Sequence, residues 1–333
     1  MSANTGPNFQ DRMTRAFDND WIGPGLVCVL AVIGISAFQP AFLSEFNIFV
    51  LLAAISVNMV IALGQLVIIG LGQMNLALGS IGGLAAISFV GLIEVQGVPV
   101  PLALALALVL GLLAGMASGY IIAKSQISAF IITLAGLQIF KGINLGITRA
   151  QPFYGVPDSV KAFGTGSVLG PLPWLIVPMI AASVGLWYLF NRMRIGRHIL
   201  AMGSNPHAAE LSGIDPKATI IWAHALSGLL AAAAGIMLAA KLQIGQPTIG
   251  DDWLISSFAA PVIGGAVLAG GRISVPGTFF GVIIIAIITQ GLVMFAIDPF
   301  VVQIVLGALI LWAVAINRLR EVRIARAHAR GVA

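Results

Sequence analysis

The run VPLALALALVLGLLAGMASGYIIA, Val100 to Ala123, decides the fold. Its 24 residues carry no charge, and as an α-helix they reach about 36 Å, more than the roughly 30 Å of hydrocarbon in a bilayer. In lipid every backbone N–H and C=O must be paired inside the segment or inside a closed barrel. The alternation of polar and apolar residues that a barrel needs is absent, so the run reads as a transmembrane helix. Within it Gly111, Gly115 and Gly119 form a GxxxGxxxG ladder. Such a ladder lets two helix backbones approach closely, either inside one chain or at a dimer seam.

The rest of the chain has the same character. Of 333 residues, 59% are hydrophobic and 9% charged, with a mean hydropathy of +1.03, whereas soluble domains carry about 25% charge. The expected architecture is an all-α integral membrane protein of about ten spans, at 21–38, 48–71, 76–93, 100–123, 127–147, 172–190, 218–240, 254–270, 275–297 and 299–316. These form one domain over residues 21–317, between a polar tail at 1–20 and a basic tail at 318–333. The mixed-charge start reads as a retained cytoplasmic tail and not a signal peptide. The single cysteine, Cys28, lies inside the first run, which excludes an intrachain disulfide framework.

Orientation follows from the basic residues. With alternating spans, Arg12, Arg15, Lys124, Arg192, Arg194, Arg197, Lys217, Arg272, Arg318, Arg320, Arg323, Arg326 and Arg330 share one side, against Arg149, Lys161 and Lys241 on the other. The positive-inside rule then places both termini and the loop 191–217 in the cytoplasm. Two halves of five spans would enter the membrane from opposite sides, which predicts an inverted repeat, although no convincing internal sequence match accompanies it.

The loop holds the one long polar island, GRHILAMGSNPHAAELSGIDPK, Gly196 to Lys217. Asn205 can cap a helix that starts at Pro206, and Gly213 can end it in a left-handed turn. A helix that short is unstable alone. It needs a protein surface, where the low ridge of Ala208, Ala209 and Leu211 could seat, or else it lies on headgroups.

The island resembles the cytoplasmic coupling segment of bacterial ABC-importer permeases for ribose, xylose, arabinose and related monosaccharides. Gly196, Arg197, Ala201, Gly203, Asn205, Ala208, Ala209, Gly213 and Ile214 carry that resemblance, and TLAGLQIFKGI (Thr133 to Ile143) and GGAVLAGGRISVPGTFFG (Gly264 to Gly281) extend it. One turn departs from the family pattern: Gln73, Asn75 and Ala77 stand where Gly, Asp and Ser are usual. Branched-chain amino acid permeases share the architecture, so that departure leaves the substrate class open between sugars, branched-chain amino acids and nucleosides. The resemblance implies a homodimer in the inner membrane, with the path at or near the subunit interface. It further implies a cytoplasmic ATP-binding subunit that uses ATP and Mg, and a periplasmic solute-binding protein. The coupling residues would be Arg197, Asn205, Pro206, Ala208, Ala209, Glu210, Leu211 and Gly213.

The residues themselves exclude other sources of energy. No lysine follows a glycine, so the G-K-[ST] end of a phosphate-binding loop does not exist here and this chain is expected to bind no cofactor of its own. His198, His207, His224 and His328 lack metal-ligand spacing, and no nucleophile elbow is present. Ion coupling generally needs ionisable groups deep in the membrane. The spans place Asp251 and Asp252 in an outer loop and no carboxylate at mid-depth, which argues against proton or sodium coupling and leaves an autonomous facilitator or secondary transporter as the alternative to an ATP-driven importer. Asn58, Gln65, Gln73, Asn75, Thr133, Gln138, Asn144 and Gln290 bring neutral polar groups into the spans. They either line a path for a hydroxylated solute or bond neighbouring helices. Lys141 is expected near the outer mouth, with a gating or structural role. The outer stretches 148–170 and 246–253 either receive the binding protein or serve as connectors.

Overall fold

The computed structural model describes residues 22–309, apart from Gln126 and Pro299, together with Leu311 and Ala315. The tails at 1–20 and 318–333, Trp21, and most of the run beyond residue 309 lie outside the described residues. Thirteen helices and one short hairpin follow in chain order among them: α1 (Ile22–Phe38), α2 (Glu45–Gly70), α3 (Leu78–Glu94), α4 (Val100–Ser125), α5 (Ala129–Thr148), α6 (Asp158–Thr165), β1 (Ser167–Leu169), β2 (Leu172–Pro173), α7 (Ile176–Arg192), α8 (Arg194–Ser204), α9 (Pro206–Leu211), α10 (Pro216–Leu242), α11 (Trp253–Ile263), α12 (Val275–Met294) and α13 (Phe300–Leu309). A single 3₁₀ turn, Pro40–Leu43, joins α1 to α2.

The architecture is an all-helical membrane domain. Among the described residues, α2, α4, α5, α10 and α12 are each long and apolar enough to span a bilayer, and the bent pair α7 and α8 passes the same test together. The shorter α1, α3, α11 and α13 are also apolar. The sixth run begins later than expected, because Leu172 and Pro173 pair with Ser167 and Leu169 in a hairpin. The eighth expected run is α11, which ends at Ile263, well short of Gly270.

Two helices form the centre. Along α2 the residues from Met59 to Gly70 are buried on every side, as expected of a helix surrounded by others. Helix α10 packs against α2, α3 and α4, while α2 packs also against α7, α11 and α12. The glycine ladder of α4 lies on α10: a Cβ on Gly111 would meet Ala232, one on Gly115 the His224 carbonyl, and one on Gly119 the Ile221 backbone. It therefore serves packing within the chain. The outward faces of α4 and α5 carry exposed Leu102, Val109, Ile131 and Ile139, apolar groups suited to lipid.

Candidate translocation path and coupling surface

At one end of the bundle the chain turns sharply out of α7. Helices α7 and α8 are bent by 71° about Met193. Gly196 permits the bend, since any Cβ there would strike the Leu189 carbonyl. The α8 helix is amphipathic and buries Ile199 and Met202 while Arg194 and Arg197 stay exposed, and Arg197 donates to the Arg192 carbonyl at 3.1 Å.

Helix α9 follows as its sequence predicts. The Asn205 side-chain oxygen accepts from the Ala208 N–H at 3.0 Å, Pro206 occupies the first turn, and Gly213 takes φ +84°, where any residue with a Cβ is strained. Ile214 N–H then closes back on the Ala209 carbonyl at 3.1 Å, the chain reversal that ends many helices. Asp215 starts α10 by accepting from the Lys217 and Ala218 N–H groups. In the expected ridge one correction is needed. Ala209 is buried in its own chain, whereas Ala208, Glu210 and Leu211 are exposed, Leu211 to 77%. A helix of six residues must turn one side toward its support, and Ala209 is that side.

The support is a knot of backbone contacts. A Cβ on Gly203 of α8 would strike the Gly70 carbonyl and the Gly271 N–H, and Gly271 N–H donates to the Gly70 carbonyl at 3.0 Å. The end of α2, the end of α8 and the turn before α12 thus touch main chain to main chain. Asn205 follows Gly203 by two residues.

Four of the eight predicted polar path residues bond neighbouring helices. Asn75 donates to the Ser227 hydroxyl of α10 at 3.2 Å and accepts from Ala77 N–H. Gln73 lies beyond the end of α2 and so leaves the line of Asn58 and Gln65; its carbonyl oxygen meets His224 Nε2 at 3.1 Å. Asn144 donates to the Ser80 carbonyl. Thr133 donates to the Ala129 carbonyl of its own helix, and Gln290 to the Asn47 side-chain oxygen at 2.6 Å. Gln138 is exposed on α5 and Asn58 half-buried on α2. Gln65 is buried, and its side-chain carbonyl oxygen has no hydrogen-bond partner among the described residues. The sequence reading missed Asn47, Ser80, His224 and Ser227 as partners, since no spacing links residues that far apart.

Asp251 is the principal correction. The segment after α10 turns back along α3 and descends into the bundle. Gly245 pairs with Phe153 in both directions, and that ring lies against Gly91, while the Ile249 carbonyl reaches Gly83 and Gly250 reaches Gly79. From Gly91 to Gly79 is twelve residues of helix, about 18 Å. Gly250 holds φ +89° and meets Gly79 backbone to backbone, so both positions require glycine. Asp251, expected in an outer loop, therefore lies deep in the domain, where it forms an ion pair with Lys141 at 2.9 Å, so the expected absence of a mid-depth carboxylate does not hold and no longer argues against ion coupling. Lys141 likewise sits well inside α5, not at its mouth. Among the described residues no three His, Cys, Asp or Glu side chains gather to hold a metal ion.

Comparison with known proteins adds an independent line. The family model described as branched-chain amino acid transport system / permease component matches residues 47–314. The chain is similar to the ribose import permease protein RbsC of Bacillus subtilis, with 36% identity over 89% of this chain and 92% of that protein. It is similar also to RbsC of Escherichia coli K12, with 34% identity over 92% and 97%, and to the galactose/methyl galactoside import permease protein MglC of the same strain, with 32% over 89% and 94%. No solved structure matches the chain significantly.

Proposed function

The chain belongs to the branched-chain amino acid transport system / permease component family, and from that premise we propose that it is the membrane-spanning subunit of an ATP-driven importer for a monosaccharide or related polyol. The observation that carries the substrate class is the likeness, at 32% to 36% identity, to ribose and galactose import permeases aligned over nearly their whole length. The α9 hairpin supports coupling to a separate ATPase. It is a capped, rigid element with an exposed apolar tip at Leu211, and it is tied by backbone to the central helix α2. In this reading a cytoplasmic ATP-binding subunit uses ATP and Mg, and its closure moves α9 and with it the end of α2. A periplasmic solute-binding protein delivers the solute, and two copies of the permease make the path.

The reading includes ten spans with both termini in the cytoplasm and two halves related by an inverted repeat. Three features support the repeat. Helix α2 packs on α11 and α12, and α10 packs on α3 and α4, so each half lends its second span to the other. Helices α3 and α11 meet near their N-terminal ends, at Gly79, Gly250 and Trp253. The turns before them begin alike, with Gly72-Gln73 and Gly245-Gln246.

The test is co-purification and uptake. Tagged permease from mildly solubilised membranes is expected to retain an ATPase, and Leu211→Asp or Ala208→Asp to lose it, because burying a carboxylate in an apolar groove costs several kcal/mol. Cells carrying the system should accumulate radiolabelled ribose, xylose or galactose in an ATP-dependent way. Retention of no ATPase by the wild type would end the importer reading, and uptake of leucine in place of sugars would move the substrate class.

A further inference from the structure

Lys141 and Asp251 put charge where a spanning helix is ordinarily apolar. Lys141 lies twelve residues beyond the start of α5 and seven before its end, about 18 Å and 10 Å along the axis, so it is far from both ends. Asp251 is level with it, carried there by the descending segment along α3. The two side chains are 39% and 40% exposed. Gln138, one turn away on α5, and Asp252, next in the chain, are exposed as well.

Charges bare to hydrocarbon at this depth are costly and are found facing water-filled cavities or bundle interiors. On that ground the face of α5 that carries Lys141 and Gln138 is read as facing water.

We propose that Lys141 and Asp251, flanked by Gln138 and Asp252, form the solute-contacting station of the translocation path at mid-depth, and that it takes a neutral polyhydroxylated solute. The inference rests on the importer reading and deepens it. The Asp251 carboxylate accepts from solute hydroxyls, and the Lys141 ammonium donates to their oxygens. Paired, the two carry no net charge, so a neutral solute finds strong hydrogen-bonding partners without a charge trap. Because the partners sit on two elements, α5 and the segment fixed by Gly250, the station changes shape whenever those elements move apart.

Thiol accessibility in the assembled importer decides it. On a Cys28→Ala background, Asp251→Cys and Gln138→Cys are expected to react with a charged methanethiosulfonate reagent about tenfold faster than Ile139→Cys, whose side chain faces lipid. The sugar that the wild type takes up should slow both reactions. In parallel, Asp251→Asn and Lys141→Gln are expected to raise the KM for uptake about tenfold, the loss of one charge-assisted hydrogen bond, with the assembled complex recovered in the wild-type amount. Equal reaction rates at all three thiols in a transporting permease, or variants that lower only the amount of assembled complex, would overturn the station and leave the importer reading standing. Absence of sugar uptake by the wild type would instead overturn the importer reading, with fast thiols still marking the hydrated path.

Discussion

At Gly228 of α10 an added Cβ would strike the Gly111 carbonyl of α4. Backbone on both sides leaves little room to relax, and overpacking of that kind costs about 1–3 kcal/mol. Asn75, in the turn between α2 and α3, by contrast contributes one hydrogen bond to Ser227 of α10, and side-chain bonds between helices inside membranes are worth about 0.6 kcal/mol on average. The comparison orders two variants. Gly228→Ala is expected to lower the thermal unfolding midpoint of detergent-solubilised permease more than Asn75→Ala does. The reverse order would show that amide bonds, and not close backbone packing, hold α2, α4 and α10 together. The GxxxGxxxG ladder was legible as a close-packing face from its spacing, but its partner was not, because spacing describes one helix and the contact needs two.

Among the elements, α9 depends most on its ends. Six residues cannot sustain a helix in water, so the Asn205 cap, the Gly213 turn and the contact of Ala209 with its support all matter. Asn205→Ala removes a cap worth about 1 kcal/mol. The expected outcome is a complex that still assembles but whose ATP hydrolysis is less strongly stimulated by solute, measured with the reconstituted importer. Unchanged stimulation would mean that the partner surface alone orders α9. The boundaries of this helix could be read from six or seven residues, since capping acts over one turn. Its support could not. Gly203, Gly70 and Gly271 come from three distant parts of the chain, and only their meeting sets the end of α8, from which α9 follows, against the end of α2.

For the whole molecule, the topology predicts opposite sidedness for two exposed positions. On the Cys28→Ala background, a thiol from Leu211→Cys should be labelled by an impermeant reagent only in inside-out vesicles, and one from Tyr154→Cys only in right-side-out vesicles. Labelling of both from the same side would break the ten-span arrangement. The membrane class, the places of the long apolar helices α2, α4, α5, α10 and α12, the expected sidedness and the form of α9 came from the sequence alone. Each depends on composition or capping within one contiguous segment, which lipid and the helix backbone read directly. The depth of Asp251, its pairing with Lys141, the bonding of Asn75, Asn144 and Gln290 to neighbouring helices, and the inward turn of Ala209 came from the tertiary structure. There the deciding physics is the approach of segments 50 to 250 residues apart, and a chain that turns back into the bundle carries a charge to a depth that no hydropathy profile can assign.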